Sequence, residues 1–251
     1  MSDVIVTGRF LPLITATAQA NRERRRPARP GCSIGFEFPP PEDQFVMAGT
    51  FGAVVEKGGR RFILSNNHVL AENGRISIDA PIFQPGLLDG GDTATDQIAE
   101  LSEFVPVTRQ NNAVDCALAR VLDPGDVSPR PMPRVNRLLS PQPIAARDGM
   151  LVEKTGRTTG YTRGSVTDVA ADVSVGRYSD SQGEFDAVFT DQIIVESPGG
   201  MFSDRGDSGS IIVERQTKRV TALLFAGSAS HTIGNPIGEV LARLGVQLVV
   251  G

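Results

Sequence analysis

From position 46 onward the chain alternates short apolar runs with turn residues. Apolar or alternating runs occupy Met47 to Glu56, Arg61 to Ser65, Gly74 to Asp79, Gln97 to Phe104 and Val114 to Leu122. A second series occupies Met150 to Lys154, Gly164 to Val169, Phe185 to Val188, Gln192 to Glu196, Ser210 to Glu214 and Val220 to Phe225. Each run is predicted as a strand, and Gly58-Gly59 as the hairpin turn between the first two. Between the series, residues 123–146 carry Pro124, Pro129, Pro131, Pro133, Pro141 and Pro143. Proline donates no ladder hydrogen bond, so this stretch is predicted as a crossing between subdomains. Pro236 to Val249 places Ile237, Val240, Leu241 and Leu244 at helical spacing and is predicted as a helix on the second subdomain. No further module is expected after it. Strand–helix alternation and family-length repeats are missing, so the pattern predicts an all-β barrel or sandwich architecture.

Residues 1–45 read differently, as an N-terminal arm. Val4 to Ile14 is predicted as a short helix or strand. The run Arg22-Glu23-Arg24-Arg25-Arg26, with prolines at 27, 30 and 39–41, is predicted as a solvated arm. Phe10 to Ala20 is mildly apolar and ends in Ala18-Gln19-Ala20, the shape of a signal-peptide cleavage site. The stretch is short, is interrupted by Pro12 and has only Arg9 as a cation. Two cysteines, Cys32 and Cys116, also suit a reducing compartment better than an oxidising one. A cytoplasmic protein is the expectation, with secretion as the other reading and one disulfide as its companion.

Charge and hydropathy narrow the function classes. The 251 residues carry a net charge of −4, which gives no basic footprint for nucleic acid. No apolar run has the length of a membrane span. The loop Pro85 to Asp96 holds Asp89, Asp92 and Asp96 without calcium-loop spacing, so it is predicted as solvated and no metal is expected.

The chemistry concentrates in three places. Gly206-Asp207-Ser208-Gly209-Ser210 sets a serine in a glycine-bracketed turn, and a serine hydroxyl needs a general base to become a nucleophile. Only two histidines are present. His68, in Ser65-Asn66-Asn67-His68-Val69-Leu70, directly follows the apolar run Phe62-Ile63-Leu64, which places it at a barrel rim. Asp115 sits inside the apolar stretch Ala113 to Ala119, where a carboxylate needs a partner; His68 or a backbone turn would serve. His231 reads as a surface or structural histidine.

The order His68, Asp115, Ser208, with Gly206-Asp207-Ser208-Gly209, resembles the chymotrypsin-like serine peptidases; subtilisin-like and α/β-hydrolase folds use other orders. Ser210 stands where that signature usually ends in glycine. Gly156-Arg157-Thr158-Thr159-Gly160-Tyr161 is similar to the start of the second barrel in secreted bacterial members. The stretches around His68, Asp115 and Ser208, with Leu223 to Ser228, also resemble an intracellular trypsin-like group. The resemblance covers about residues 46–250. It implies two packed six-stranded antiparallel β-barrels, residues 46–122 and 147–251, the latter closing with the helix. It further implies a triad of His68, Asp115 and Ser208, and an oxyanion hole from the N–H groups of Gly206 and Ser208. Arg157 is expected to pair with Asp207. The pocket is expected from Phe202 and Ser203 facing Phe225, Ala226 and Gly227, with a medium apolar preference. The expected activity is cofactor-free peptide hydrolysis, the partner a polypeptide substrate; an inactive interaction scaffold and an esterase are the alternatives.

Overall fold

A computed structural model of the chain describes residues 11–12, 21–40, 46–132, 135, 138, 140–180 and 182–251. Of the signal-like stretch from Phe10 to Ala20 only Leu11 and Pro12 are described, and its cleavage-site residues lie outside the described residues. A two-residue strand, β1 (Leu11–Pro12), precedes two curled antiparallel sheets. The first is built from β2 (Ser33–Phe36), β3 (Gly49–Thr50), β4 (Ala53–Lys57), β5 (Arg60–Ser65), β6 (Pro81–Phe83), β7 (Gln97–Phe104) and β8 (Ala117–Val121). The second is built from β9 (Leu151–Gly156), β10 (Gly160–Asp180), β11 (Gly183–Glu196), β12 (Ile211–Glu214), β13 (Val220–Gly227) and β14 (Thr232–Pro236). Helix α1 (Asn67–Leu70) follows β5; helix α2 (Ile237–Leu244) follows β14 and leads to β15 (Gln247–Leu248).

The second sheet runs β1-β13-β12-β9-β10-β11-β14, and β13 also pairs with β14. Strands β9 to β14 therefore close into a six-stranded ring, with β1 added on β13. The first sheet runs β15-β4-β5-β8-β7-β6-β2-β3. Successive side chains of a strand face opposite sides. Ile63 accordingly packs with Phe36, Phe51 and Val54, while Phe62 and Leu64 face Ile211, Leu223 and Leu241. A strand buried on both sides must be apolar at successive positions, which explains the run Phe62-Ile63-Leu64. His68 follows on the one-turn helix α1.

The fold corrects several expectations. The arm contributes β2, fully buried and paired with β6, so the first sheet begins well before residue 46. The arginine run is not a solvated arm. Arg24 pairs with Asp96 at 2.5 Å, and Arg26 reaches Asp96, Asp126 and the Gln84 carbonyl and side chain. Nor are the acidic side chains of the loop all solvated: those of Asp89 and Asp96 are buried beside these arginines, while Asp92 is exposed. A buried carboxylate requires such partners. Gly74 to Asp79 is a turn rather than a strand, with Asn73 and Asp79 at φ of 52° and 66°; asparagine and aspartate tolerate this left-handed region best. The hairpin β10–β11 is much longer than its apolar runs, because polar residues such as Asp172 and Ser174 alternate outward with buried Val173 and Val175. Helix α2 stops at Gly245, φ 63°, and the chain turns back to pair β15 with β4.

Phe36 is fully buried among Ile34, Phe51 and Val54. Phe36→Ala is expected to lower the unfolding free energy by about 3–5 kcal/mol in urea titrations, whereas a residue of a surface arm would change it by no more than about 0.5 kcal/mol.

Candidate active site

The site lies where the first sheet meets the turn between β11 and β12. Thr50, in β3, joins them. Its N–H donates to the Ser208 carbonyl at 2.8 Å and its hydroxyl to the Gly206 carbonyl at 2.9 Å. Its own carbonyl accepts from the Ser65 hydroxyl at 2.8 Å. Gly209 adopts φ 93°, and a Cβ there would lie 2.2 Å from the Thr50 oxygen. Gly206 also has φ 93°, and a Cβ there would lie 2.4 Å from an Arg157 guanidinium nitrogen. Glycine is required at both positions on both counts.

His68 and Asp115 are brought together. His68 Nδ1 lies 2.6 Å from Asp115 Oδ2, with both side chains buried. Asp115 Oδ1 accepts the N–H groups of Asn67 and His68 at 2.6 and 3.3 Å. The Asp115 N–H donates to Asn235 Oδ1 at 2.9 Å, and Asn66 Nδ2 donates to the Asp115 carbonyl at 2.8 Å. A residue absent from the sequence reading completes this shell: Tyr178, on β10, donates its hydroxyl to Asp115 Oδ2 at 2.5 Å. Burial, then the Asp115 charge, pushes the Tyr178 phenol well above its ordinary range. Its ring leads through Phe189 to Phe225, at centroid distances of 5.8 and 4.7 Å. Tyr178 lies in a mostly polar stretch of sequence, and strict alternation from Val173 and Val175 would turn it outward; a register shift between Val175 and Tyr178 brings it inward.

Ser208 is fully buried, and its Oγ donates to the Phe225 carbonyl at 3.3 Å. His68 Nε2 is buried with no hydrogen-bond partner among the described residues. Asp207 N–H donates to the Asp204 carbonyl and Gly209 N–H to the Leu224 carbonyl. The N–H groups of Gly206 and Ser208, which flank Asp207, have no acceptor among the described residues. The Arg205 carbonyl accepts from the Thr158 hydroxyl at 2.7 Å. In a planar trans peptide the Gly206 N–H then points in the direction opposite to that carbonyl, away from Thr158.

The expected Arg157–Asp207 pair is not formed, and two cations three positions apart have divided the work. Asp207 pairs with buried Lys154, on β9, at 3.1 Å. It also accepts from the Thr158 N–H at 2.8 Å, the Thr159 hydroxyl at 2.6 Å and the Asp204 N–H at 3.0 Å. Burial lowers the Lys154 pKa, against the pull of Asp207. Arg157 instead grips Asp89 with two bonds of 2.5 and 2.6 Å, while a third guanidinium nitrogen reaches the Thr158 hydroxyl at 3.3 Å. Ser33, in β2, donates to Asp89 at 2.5 Å. Glycine at 156 leaves room for the Asp207 carboxylate, which a Cβ would meet at 2.3 Å.

Of the expected pocket residues, Phe202 packs into the second-barrel core with Val152 and Val195. The Ser203 hydroxyl meets Thr232 Oγ1 at 2.6 Å. Phe225, Ala226 and Gly227 are buried along β13, and a Cβ on Gly227 would stand 3.5 Å from Ser203 Oγ. His231 pairs with Glu196 at 3.0 Å. Cys32 and Cys116 are free and buried; burial raises both thiols, Cys32 to about 12. Among the described residues no cluster of His, Cys, Asp and Glu has the makings of a metal site, and no helix is long and apolar enough to cross a membrane.

No protein-family model matches the chain, and no curated protein matches it in sequence. Solved structures do. A glutamic-acid-specific serine protease that uses a histidine triad in substrate binding superposes with a TM-score of 0.61, at 18% identity, over 88% of this chain and 100% of its own. Thermobifida fusca Protease A gives 0.60 at 16% identity, over 89% and 98%. An alpha-lytic protease homologue, N4, gives 0.59 at 18% identity, over 88% and 99%. The fold is chymotrypsin-like. Bacterial serine proteases of this fold are what the chain resembles in three dimensions, at identities that speak for the fold alone.

Two outcomes follow from the buried charges. Lys154→Met strands the Asp207 carboxylate and is expected to cost about 3–5 kcal/mol in urea unfolding; adding Asp207→Asn should return much of it, read as a double-mutant cycle. Tyr178→Phe is expected to cost about 1.5–3 kcal/mol, the range for a hydrogen bond to a charged group. The Tyr178 pKa is raised on folding, so its contribution is complete below the unfolded tyrosine pKa of about 10 and is lost as pH rises above it. The stability difference between wild type and Tyr178→Phe should therefore shrink in alkaline buffer.

Proposed function

We propose that the chain is a serine endopeptidase with Ser208 as nucleophile, His68 as general base and acid, and Asp115 as the group that orients the imidazole. The observation that carries this reading is the buried 2.6 Å contact between His68 Nδ1 and Asp115 Oδ2 in a chymotrypsin-like fold. In the proposed reaction Ser208 Oγ attacks a substrate carbonyl while His68 Nε2 takes its proton. His68 passes that proton to the leaving amine, and water then hydrolyses the acyl-enzyme by the same route. Asp115 holds Nδ1 protonated and stabilises the imidazolium; Tyr178 and the α1 amides keep its carboxylate in place.

The free N–H groups of Gly206 and Ser208 are suited to the developing oxyanion, each such donor being worth about 3–4 kcal/mol of transition-state stabilisation. In this reading Arg157 supports the site by a different route from the one first expected. Asp89 fixes Arg157, Arg157 touches Thr158, and Thr158 holds the Arg205 carbonyl that sets the Gly206 N–H. Asp207, held by Lys154, anchors the other side of the turn.

The proposed substrate is an extended polypeptide lying along Phe225–Gly227, with its side chain in the pocket near Phe202, Ser203, Ala226 and Gly227. Ser203 and Thr232 satisfy each other, which favours a medium apolar side chain over a charged one. The histidine triad of the glutamate-specific neighbour has no counterpart in a chain with two histidines, one beside Asp115 and one bound to Glu196. Two unpaired buried thiols favour a reducing, cytoplasmic setting.

One observation favours the second reading, a latent or inactive scaffold: the Ser208 hydroxyl turns to Phe225 and His68 Nε2 stays unpartnered. The two readings separate on chemistry. A fluorophosphonate probe is expected to label the incubated wild type and not Ser208→Ala, and a peptide library is expected to be cut after medium apolar residues. No labelling after prolonged incubation would leave the barrels as an interaction scaffold.

A further inference from the structure

Strands β12, β9 and β10 lie side by side in the second sheet, and at one end they floor a groove. On β9, Leu151 stands opposite Ser165 of β10, and its carbonyl accepts the Arg215 N–H at 3.0 Å just past the end of β12. The far wall is the loop 197–201 that follows β11. Glycine at 164 lets this wall close in, since a Cβ there would run into the Glu196 carbonyl and the Phe202 ring. The groove holds about 520 Å³, within the range of roughly 300–1,000 Å³ that ligand sites occupy. None of His68, Asp115 and Ser208 lines it.

Its charge is one-sided, although the chain as a whole carries −4. Arg163 and Arg215 both line the groove. Arg163 Nε donates to the Tyr161 hydroxyl at 2.6 Å, and that hydroxyl donates to buried Glu153 at 2.7 Å. Glu153 in turn pairs with Lys218. The Arg163 guanidinium is thus held through one nitrogen, and its two terminal nitrogens bond to no described residue. The Arg215 side chain has no acid partner among the described residues. The carboxylates next to this groove in sequence are engaged elsewhere, Glu196 with His231 and Glu214 with the Gln216 and Thr217 N–H groups. Two apolar side chains, Leu151 and Met201, line the same groove and are each 50% exposed. A guanidinium fork matches a carboxylate with two parallel bonds, and methionine adapts its shape to an apolar partner. Two cations beside apolar side chains are not the basic stripe that nucleic acid requires.

We propose that this groove is a second binding site, for an acidic polypeptide segment with an apolar residue among its carboxylates. Arg163 and Arg215 take the carboxylates, and Leu151 and Met201 take the apolar side chain. The groove is joined to the proposed substrate pocket. Met201 is followed directly by Phe202 and Ser203, and Thr162 on the groove floor donates its hydroxyl to the Phe202 carbonyl at 2.6 Å. In the peptidase reading, on which this role rests, the segment belongs to the substrate and attaches it outside the cleft that holds Ser208. The binding itself does not depend on catalysis.

The test starts with full-length Ser208→Ala, which cannot consume its ligand. A fluorescein-labelled peptide Asp-Asp-Leu-Glu-Asp is expected to bind in fluorescence anisotropy, and its Asn-Asn-Leu-Gln-Asn counterpart to bind about tenfold more weakly or worse. Adding Arg163→Gln or Arg215→Gln should each weaken the acidic peptide by about tenfold, in the range for hydrogen bonds to charged groups. Added salt should weaken it too. Urea midpoints of the two arginine variants should match the parent, which separates lost binding from lost fold. Equal affinity for the two peptides would overturn the site. So would an acidic-peptide affinity that neither arginine change moves, or tighter binding of an oligothymidylate. Wild-type kinetics test the substrate role. The double variant Arg163→Gln, Arg215→Gln should raise KM about tenfold or more for a substrate that carries the acidic run, at unchanged kcat, and leave KM for one without it where it was. Equal changes on both substrates would overturn that role and leave the peptidase reading standing. Failure of the peptidase reading looks different: wild type would neither label with fluorophosphonate nor cut either substrate, and the anisotropy of Ser208→Ala would still decide the site.

Discussion

The contact of Thr50 with the turn that carries Ser208 is the constraint on which the site depends. One residue of the first sheet offers its N–H, its hydroxyl and its carbonyl to the joint with the second. The N–H and hydroxyl hold the Ser208 and Gly206 carbonyls, and the carbonyl is fastened to Ser65 at the end of β5. Arg157 donates its own N–H to the same hydroxyl at 3.0 Å. Neither Gly206, against the Arg157 and Thr158 side chains, nor Gly209, against the Thr50 carbonyl and the Ser65 hydroxyl, has room for a side chain. The strand end that leads to His68 and the turn that presents Ser208 are therefore positioned by one shared anchor. Small errors in barrel orientation are not absorbed elsewhere.

Three buried carboxylates surround that anchor, and each is satisfied in its own way. Asp115 takes a histidine, a tyrosine and backbone amides; Asp207 takes a lysine, a threonine and backbone amides; Asp89 takes an arginine pair and a serine. Each charge is costly to bury, and the cost is offset only when its lone pairs are filled. The site is for this reason stiff: no one of these groups can shift without leaving another unsatisfied. Asp89 also makes the Ser208 turn dependent on residues far upstream, because Arg22 and Ser33 bind the carboxylate that holds Arg157.

Much of this was readable in the chain, and the limits have physical reasons. The apolar runs marked most strand positions, since a doubly buried strand such as β5 must be apolar throughout. The order His68, Asp115, Ser208 selected the residues around which the structure builds its most buried polar network. Buried cations were harder to see. Lys154 and Arg157 are equivalent in a linear reading, and only the turn after β9 sends one to Asp207 and the other to Asp89. The arginine run and the acidic loop each looked solvated because each was read alone; together they neutralise one another across about seventy positions of sequence. Tyr178 escaped notice because the second half of β10 keeps its polar residues on the outward face and gives no continuous apolar signal.

The route of the chain after α2 bears on biosynthesis. Gly245 reverses the backbone so that Gln247 and Leu248 cover Glu56 and Val55 on β4. That edge belongs to the first sheet, yet its cover is made after the whole second barrel. A ribosome-bound chain has His68, Asp115 and Ser208 all outside the exit tunnel before it can complete this pairing. Until then β4 presents an unpaired margin, the kind of surface on which nascent chains associate. The late strand is thus a natural point for chaperone dependence, and defects near residues 245–248 should appear as lost yield before they appear as lost stability.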